Sequence, residues 1–154
     1  MNFGLKLAAI AAIVSSTSFA NAETVAPDDV KLTDGVIAAS LTGEEGDPEE
    51  GALIFASKKL GNCLACHANT AMKDQLFHGD VGPPLDGVGS RWEAEEIRAI
   101  IVDSKAVFGD QTVMPGFYSL KVGLNPRKDL VGKTILSAEQ VEDVVAYILT
   151  LKEE

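Results

Sequence analysis

Two stretches of the 154-residue chain space their apolar residues as a helix does, and a third is marked as a helix by its first residues. The last stretch is the clearest. Val141, Val144, Val145, Ile148 and Leu149 form the stripe of a helix with one buried face, and Tyr147 sits among them. Ser137 opens it with Gln140 three residues on, a reciprocal cap for the first free N–H groups. Ile97, Ile100 and Ile101 predict a second helix over about residues 93–103, with Glu95, Glu96 and Arg98 turned to water. The earliest helix is announced by Asp47 as cap, Pro48 at the first position and Glu49 and Glu50 in the first turn. It runs to about Leu60, where Gly61 ends it. Residues 68–90 read as loop, punctuated by Gly79, Gly82, Pro83, Pro84, Gly87 and Gly89. So long a loop is unusual in a compact domain unless it wraps something large. A second loop over residues 108–120 holds Met114-Pro115-Gly116-Phe117-Tyr118, and a basic stretch with Lys121, Arg127, Lys128 and Lys133 follows. The expected fold class is all-α.

The N-terminus belongs to a different category. Residues 1–6 carry one positive charge, residues 7–14 are an apolar run, and residues 15–22 turn small and polar, ending Ala20-Asn21-Ala22. This is the pattern of a cleaved export signal, with Glu23 as the first mature residue and the periplasm as the expected destination. The alternative, an uncleaved anchor, needs about 20 apolar residues to span a bilayer. No membrane span is expected here or later. The expected division is therefore a signal over 1–22, an N-terminal extension over 23–46 and a domain over 47–154.

Charge sharpens that division. The formal net charge is −10, and residues 23–50 hold nine acids against one lysine. Such a balance argues against a nucleic-acid partner. The apolar residues of the extension, Val30, Leu32, Val36, Ile37 and Leu41, keep neither a helical nor a strand period. They predict an extended arm lying against the domain or a partner. Its acids are either a solvated surface or a means of steering a basic partner.

The chemistry is concentrated at Cys63-Leu64-Ala65-Cys66-His67, the attachment pattern of a c-type haem. Two cysteines three apart on one helical turn present both sulfurs to one face, where they can form thioethers to the porphyrin's vinyl groups. His67 then serves as an axial ligand. A structural zinc site wants four ligands, and the chain has only these two cysteines. A thioredoxin-like redox pair wants a βαβ setting, which is absent from the pattern. The other axial position has three candidates, Met72, His78 and Met114. Met114 lies 47 residues past His67, enough chain to reach the opposite face, and Pro115 stiffens its backbone. His78 or an open face are the alternatives. The carbonyl of Pro83 is a candidate acceptor for the second nitrogen of His67, the prolines otherwise merely stiffening a turn. Arg91 and Trp92 are candidate donors to the haem propionates, or else a surface charge and a core ring.

The order of a Gly-x-x-x-Phe helix, Cys-x-x-Cys-His, Gly-Pro-x-Leu-x-Gly, a Met-Pro loop and a closing helix with Tyr resembles the class I cytochromes c. The resemblance covers about residues 48–154. It implies an all-α fold around one covalent haem c, with first and last helices crossing where Gly51 and Phe55 meet Tyr147. It also places the family's histidine-orienting proline on Pro83 and its arginine on Arg91. The fuller strings Gly61-Asn62-Cys63-Leu64-Ala65-Cys66-His67, Val81-Gly82-Pro83-Pro84-Leu85-Asp86-Gly87-Val88-Gly89 and Thr112-Val113-Met114-Pro115-Gly116-Phe117-Tyr118 resemble the SoxX family, as do Leu124-Asn125 and residues 131–136. SoxX proteins are the small cytochrome subunits of SoxAX complexes in periplasmic sulfur oxidation. The resemblance implies a heterodimer with a SoxA-type cytochrome that conjugates thiosulfate oxidatively to a cysteine of the carrier SoxYZ, an L-cysteine S-thiosulfotransferase. This subunit would take the electrons and pass them to a small cytochrome. Residues 68–80 match that family least.

Two other classes of function stay open at this level: a free-standing electron carrier, and a haem sensor with an open face. For a heterodimer, Pro115, Phe117 and Tyr118 beside the distal ligand are candidate partner contacts, with walling of the haem pocket as the alternative.

Overall fold

The computed structural model describes residues 23–123 and 125–153; the expected export signal over 1–22 lies outside them. Four α-helices carry the architecture: α1 (Pro48–Ala56), α2 (Val88–Arg91), α3 (Ala94–Phe108) and α4 (Ala138–Thr150). Short 3-10 turns at Cys63–Ala65, Thr70–Met72 and Lys128–Leu130 punctuate the loops.

The centre is the crossing of α1 and α4. Asp47 caps α1 by accepting from the Glu49 and Glu50 amides, and Ser137 and Gln140 cap α4 reciprocally. Gly51 is where the two backbones touch: a Cβ there would lie 1.9 Å from the Asp143 carbonyl oxygen and 2.8 Å from Tyr147 Cβ. Phe55, fully buried, meets the Tyr147 ring edge-on at 5.3 Å between centroids, a favoured aromatic geometry. Helix α3 packs on α4 through Ile97, Ile101 and Val102, and α2 docks on the end of α4, with the Gly89 amide donating to Leu151 O.

The structure departs from the sequence reading in several places. Helix α1 stops at Ala56, where the Ser57 amide closes the last turn and the backbone turns extended. Helix α3 continues beyond Asp103 to Phe108, across a break at Asp103 itself (φ −150°, ψ 86°). Arg98 does not face water. It is buried, and its guanidinium grips the Glu142 carboxylate of α4 with two bonds, Nε to Oε1 at 2.8 Å and Nη2 to Oε2 at 2.9 Å.

That buried pair also seats the arm. Arg98 Nη1 donates to Ile37 O, and Glu142 Oε1 accepts from the Leu41 amide. The Ile37 amide donates to Glu95 O, and an isolated antiparallel bridge joins Thr33 to Val36. Ile37 and Leu41 belong to the main core. Residues 23–46 therefore lie against the domain, one of the two positions open to them from the sequence.

Phe117 and Tyr118 are buried too, which corrects their candidacy as partner contacts. The Tyr118 hydroxyl donates to Val25 O of the arm, and burial raises its pKa. Changing both to serine would damage the core and test no interface.

Candidate functional site

The 3-10 turn Cys63–Ala65 begins from Asn62, which holds a left-handed backbone (φ 51°). The Cys66 and His67 amides both return to Cys63 O, so the five-residue motif is wound tightly on itself. Both thiols are free, with Leu64 between them turned into the core. Burial pushes the Cys63 thiol up to about 12. A nucleophilic or redox-active cysteine has its pKa lowered by its surroundings, so this setting does not suit Cys63 to the attacking role in thioredoxin-type exchange. Among the described residues no group of three or more His, Cys, Asp or Glu is placed to hold a metal ion by itself.

His67 is oriented from one side. Its Nδ1 donates to Pro83 O at 2.7 Å. Gly82 presses against the ring: a Cβ there would lie 2.3 Å from Cε1, so the backbone passes at contact distance only because the residue is glycine. The Gly82 amide in turn donates to Cys66 O. The carbonyl fixes the tautomer that leaves the Nε2 lone pair for a metal, the arrangement a ligating histidine needs. Two free thiols beside an imidazole so presented fit the attachment and axial ligation of haem c.

His78 is used differently. The Asn69 amide donates to its Nδ1, so the ring proton sits on Nε2, which faces Met72 O at 3.2 Å. A ring so engaged has no lone pair left for iron. It braces its own loop instead, alongside Gly79, whose amide donates to Leu64 O. Met114 is half-buried against the core, and its carbonyl accepts from Ser104 Oγ at 2.5 Å. Arg91 commits Nη2 to Asp86 O at 3.0 Å and Nη1 to Glu153 at 3.1 Å, while Trp92 is about a third exposed.

Two features of the site had no reading in the sequence. Asn69, fully buried, donates from Nδ2 to the Tyr147 hydroxyl at 2.8 Å, tying the loop after the motif to α4. Asp86 receives both the Thr70 hydroxyl (2.7 Å) and the Thr70 amide (2.8 Å) on one oxygen. The Thr70 hydroxyl and then its amide hold the Asp86 carboxyl below the usual carboxylate range. A depressed carboxylate contributes to the fold at neutral pH and loses that contribution as pH falls through its folded value. The Thr70 amide resonance is therefore expected to titrate in acid with a midpoint below that of a free aspartate; a midpoint at or above the free value would remove the role given to this bond.

Residues 48–152 match the family model for cytochrome c, and the chain belongs to that family. Among solved structures it is similar to a chain of the crystal structure of SoxXA from P. pantotrophus: 43% identity, TM-score 0.77, covering 84% of this chain and 99% of that one. Together these make it a SoxX-type class I cytochrome. No match was found among curated proteins.

Proposed function

We propose that the chain is the electron-accepting subunit of a SoxAX-type complex in the periplasm. Cys63 and Cys66 would hold one haem c covalently, and His67 and Met114 would ligate its iron. Bound there, haem supplies one-electron redox chemistry, at a potential raised by a methionine ligand. The protein's part is to hold His67 through Pro83 and Gly82, to fix the loop that carries Met114, and to keep both cysteines out of thiol chemistry.

The partner follows from what the chain lacks. Joining thiosulfate to a carrier thiol forms one S–S bond and releases two electrons and a proton, and in this reading a reactive cysteine of the enzyme mediates the joining. With both of its cysteines given to haem, this chain has no thiol for that step. The bond-making is therefore assigned to a SoxA-type cytochrome, with SoxYZ as carrier and a small cytochrome as the outlet for electrons. The observation that carries this reading is the 43% identity over nearly the whole of a SoxXA chain. Among the described residues no helix is long and apolar enough to cross a membrane. The acidic balance of the chain suits a protein partner with basic surface and not a nucleic acid.

Purifying the exported protein from its host is expected to yield a stable complex with a second haem protein. On denaturing gels the band of this chain should keep its haem-peroxidase stain after acid-acetone extraction. A protein that purifies alone points to the free-standing carrier, and extractable haem overturns the attachment through Cys63 and Cys66.

A further inference from the structure

We propose that the break in α3 is the device that holds the Met114 loop in place, and that Ser104 is the positioning residue for Met114. The inference rests on the reading of Met114 as the second axial ligand.

An unbroken helix uses up its own carbonyls. At Asp103 the backbone leaves the helical region, and the carbonyls of the preceding turn lose their partners in the chain ahead. Two of them are taken by the ligand loop. The Phe117 amide donates to Ile101 O at 2.9 Å and the Tyr118 amide to Val102 O at 3.2 Å. Asp103 then restarts the helix as a cap would, its Oδ1 accepting from the Lys105 amide at 3.2 Å and the Ala106 amide at 3.3 Å. The residues that follow the break reach the other side of the loop. Ser104, fully buried, donates from Oγ to Met114 O, and Lys105 Nζ donates to Thr112 O at 2.7 Å. Gly116 makes the close approach possible, since a Cβ there would lie 2.9 Å from Val102 O.

Three of these anchors flank Met114, at Thr112 on one side and Phe117 and Tyr118 on the other, and the fourth holds Met114 itself. Pro115 has no N–H to contribute, so the fixation of the ligand residue itself falls on its carbonyl. Ser104 is the side chain that holds it. Freed of that bond, the Met114 backbone gains room to swing and the thioether leaves iron more readily. The effect is one of position, since Ser104 acts through the Met114 backbone carbonyl.

The test uses the oxidised holoprotein and imidazole as the competing ligand, following the sulfur-to-iron absorption band. Ser104→Ala is expected to lower the imidazole concentration that displaces the band by about fivefold, the scale of one lost hydrogen bond. Far-UV circular dichroism should stay that of the parent. Met114→Ala, run in parallel, should lack the band altogether. A Met114→Ala protein that keeps the band refutes the ligand assignment. A Met114→Ala protein without it, beside a Ser104→Ala protein with the parent's titration, overturns the role of Ser104 alone. Where Ser104→Ala yields no folded protein, Lys105→Met, at a half-buried position, should move the same titration in the same direction, and an unchanged titration then overturns the proposal.

Discussion

Replacing Arg98 by alanine is expected to destabilise the protein by about 3–5 kcal/mol, because it leaves the Glu142 carboxylate buried without its charge partner. The side chains of the pair are 8% and 4% exposed, and their two parallel bonds are 2.8 and 2.9 Å long. At that depth water cannot replace the guanidinium. On the order of 10 °C should be lost from the melting temperature. The same substitution removes the donor to Ile37 O, so the arm should loosen first, visible as faster exchange of the Ile37 and Leu41 amides. Replacing both partners, Arg98→Met with Glu142→Leu, should cost less, since no charge is then stranded and the remaining loss is that of the bonds to Ile37 O and the Leu41 amide. A double-mutant cycle with no coupling between the two positions would show that the pair is not what seats the arm.

What could be read in the sequence, and what could not, divides along sequence separation. Helix α4 and the core of α3 were legible because their apolar residues recur within a few positions of one another. The Asp47 cap and the Ser137–Gln140 box were legible for the same reason, and the structure contains both. Cys63, Cys66 and His67 are a local pattern as well, and Pro83 stands close enough to His67 for its carbonyl to be proposed from the sequence. The meeting of Gly51 and Phe55 with Tyr147 came from the resemblance to a family, not from any spacing in this chain.

The misreadings have the opposite character. The sequence places Arg98 in water because arginine on a helix with acidic neighbours ordinarily belongs there, and its partner is 44 residues away. Ile37 and Leu41 have no period because backbone bonds and the Arg98–Glu142 pair seat them, not a repeating face. The break at Asp103 follows from bonds to a loop more than ten residues on, which no helical stripe encodes. His78 stays open in the sequence as an alternative to Met114 because a sequence shows a ring and not its hydrogen bonds. Phe117 and Tyr118 read as partner contacts because their own partners are distant in sequence, the Tyr118 hydroxyl donating to Val25 O of the arm and the Phe117 amide to Ile101 O.

Tyr147→Ala is the other substitution of large expected effect, about 3–5 kcal/mol by the scale for deleting a buried aromatic ring. Three contacts meet at this residue. Its ring packs edge-on to Phe55, its Cβ lies under Gly51, and its hydroxyl accepts from Asn69 Nδ2. Tyr147→Phe separates the hydroxyl from the ring. It keeps the packing but strands a fully buried amide donor, and should cost about 1–3 kcal/mol. Gly51→Ala probes the same crossing from the other helix. Alanine is favoured over glycine within a helix by up to about 1 kcal/mol, so a gain in stability would follow if the crossing were loose. The 1.9 Å approach to Asp143 O decides the sign: that neighbour is backbone and cannot turn aside, so α1 must shift and the substitution should destabilise. Chemical denaturation of all three variants with haem attached gives the comparison. A Tyr147→Ala cost below about 1 kcal/mol, or a stabilising Gly51→Ala, would mean that the crossing of α1 and α4 is not the packing centre that positions the loop behind His67.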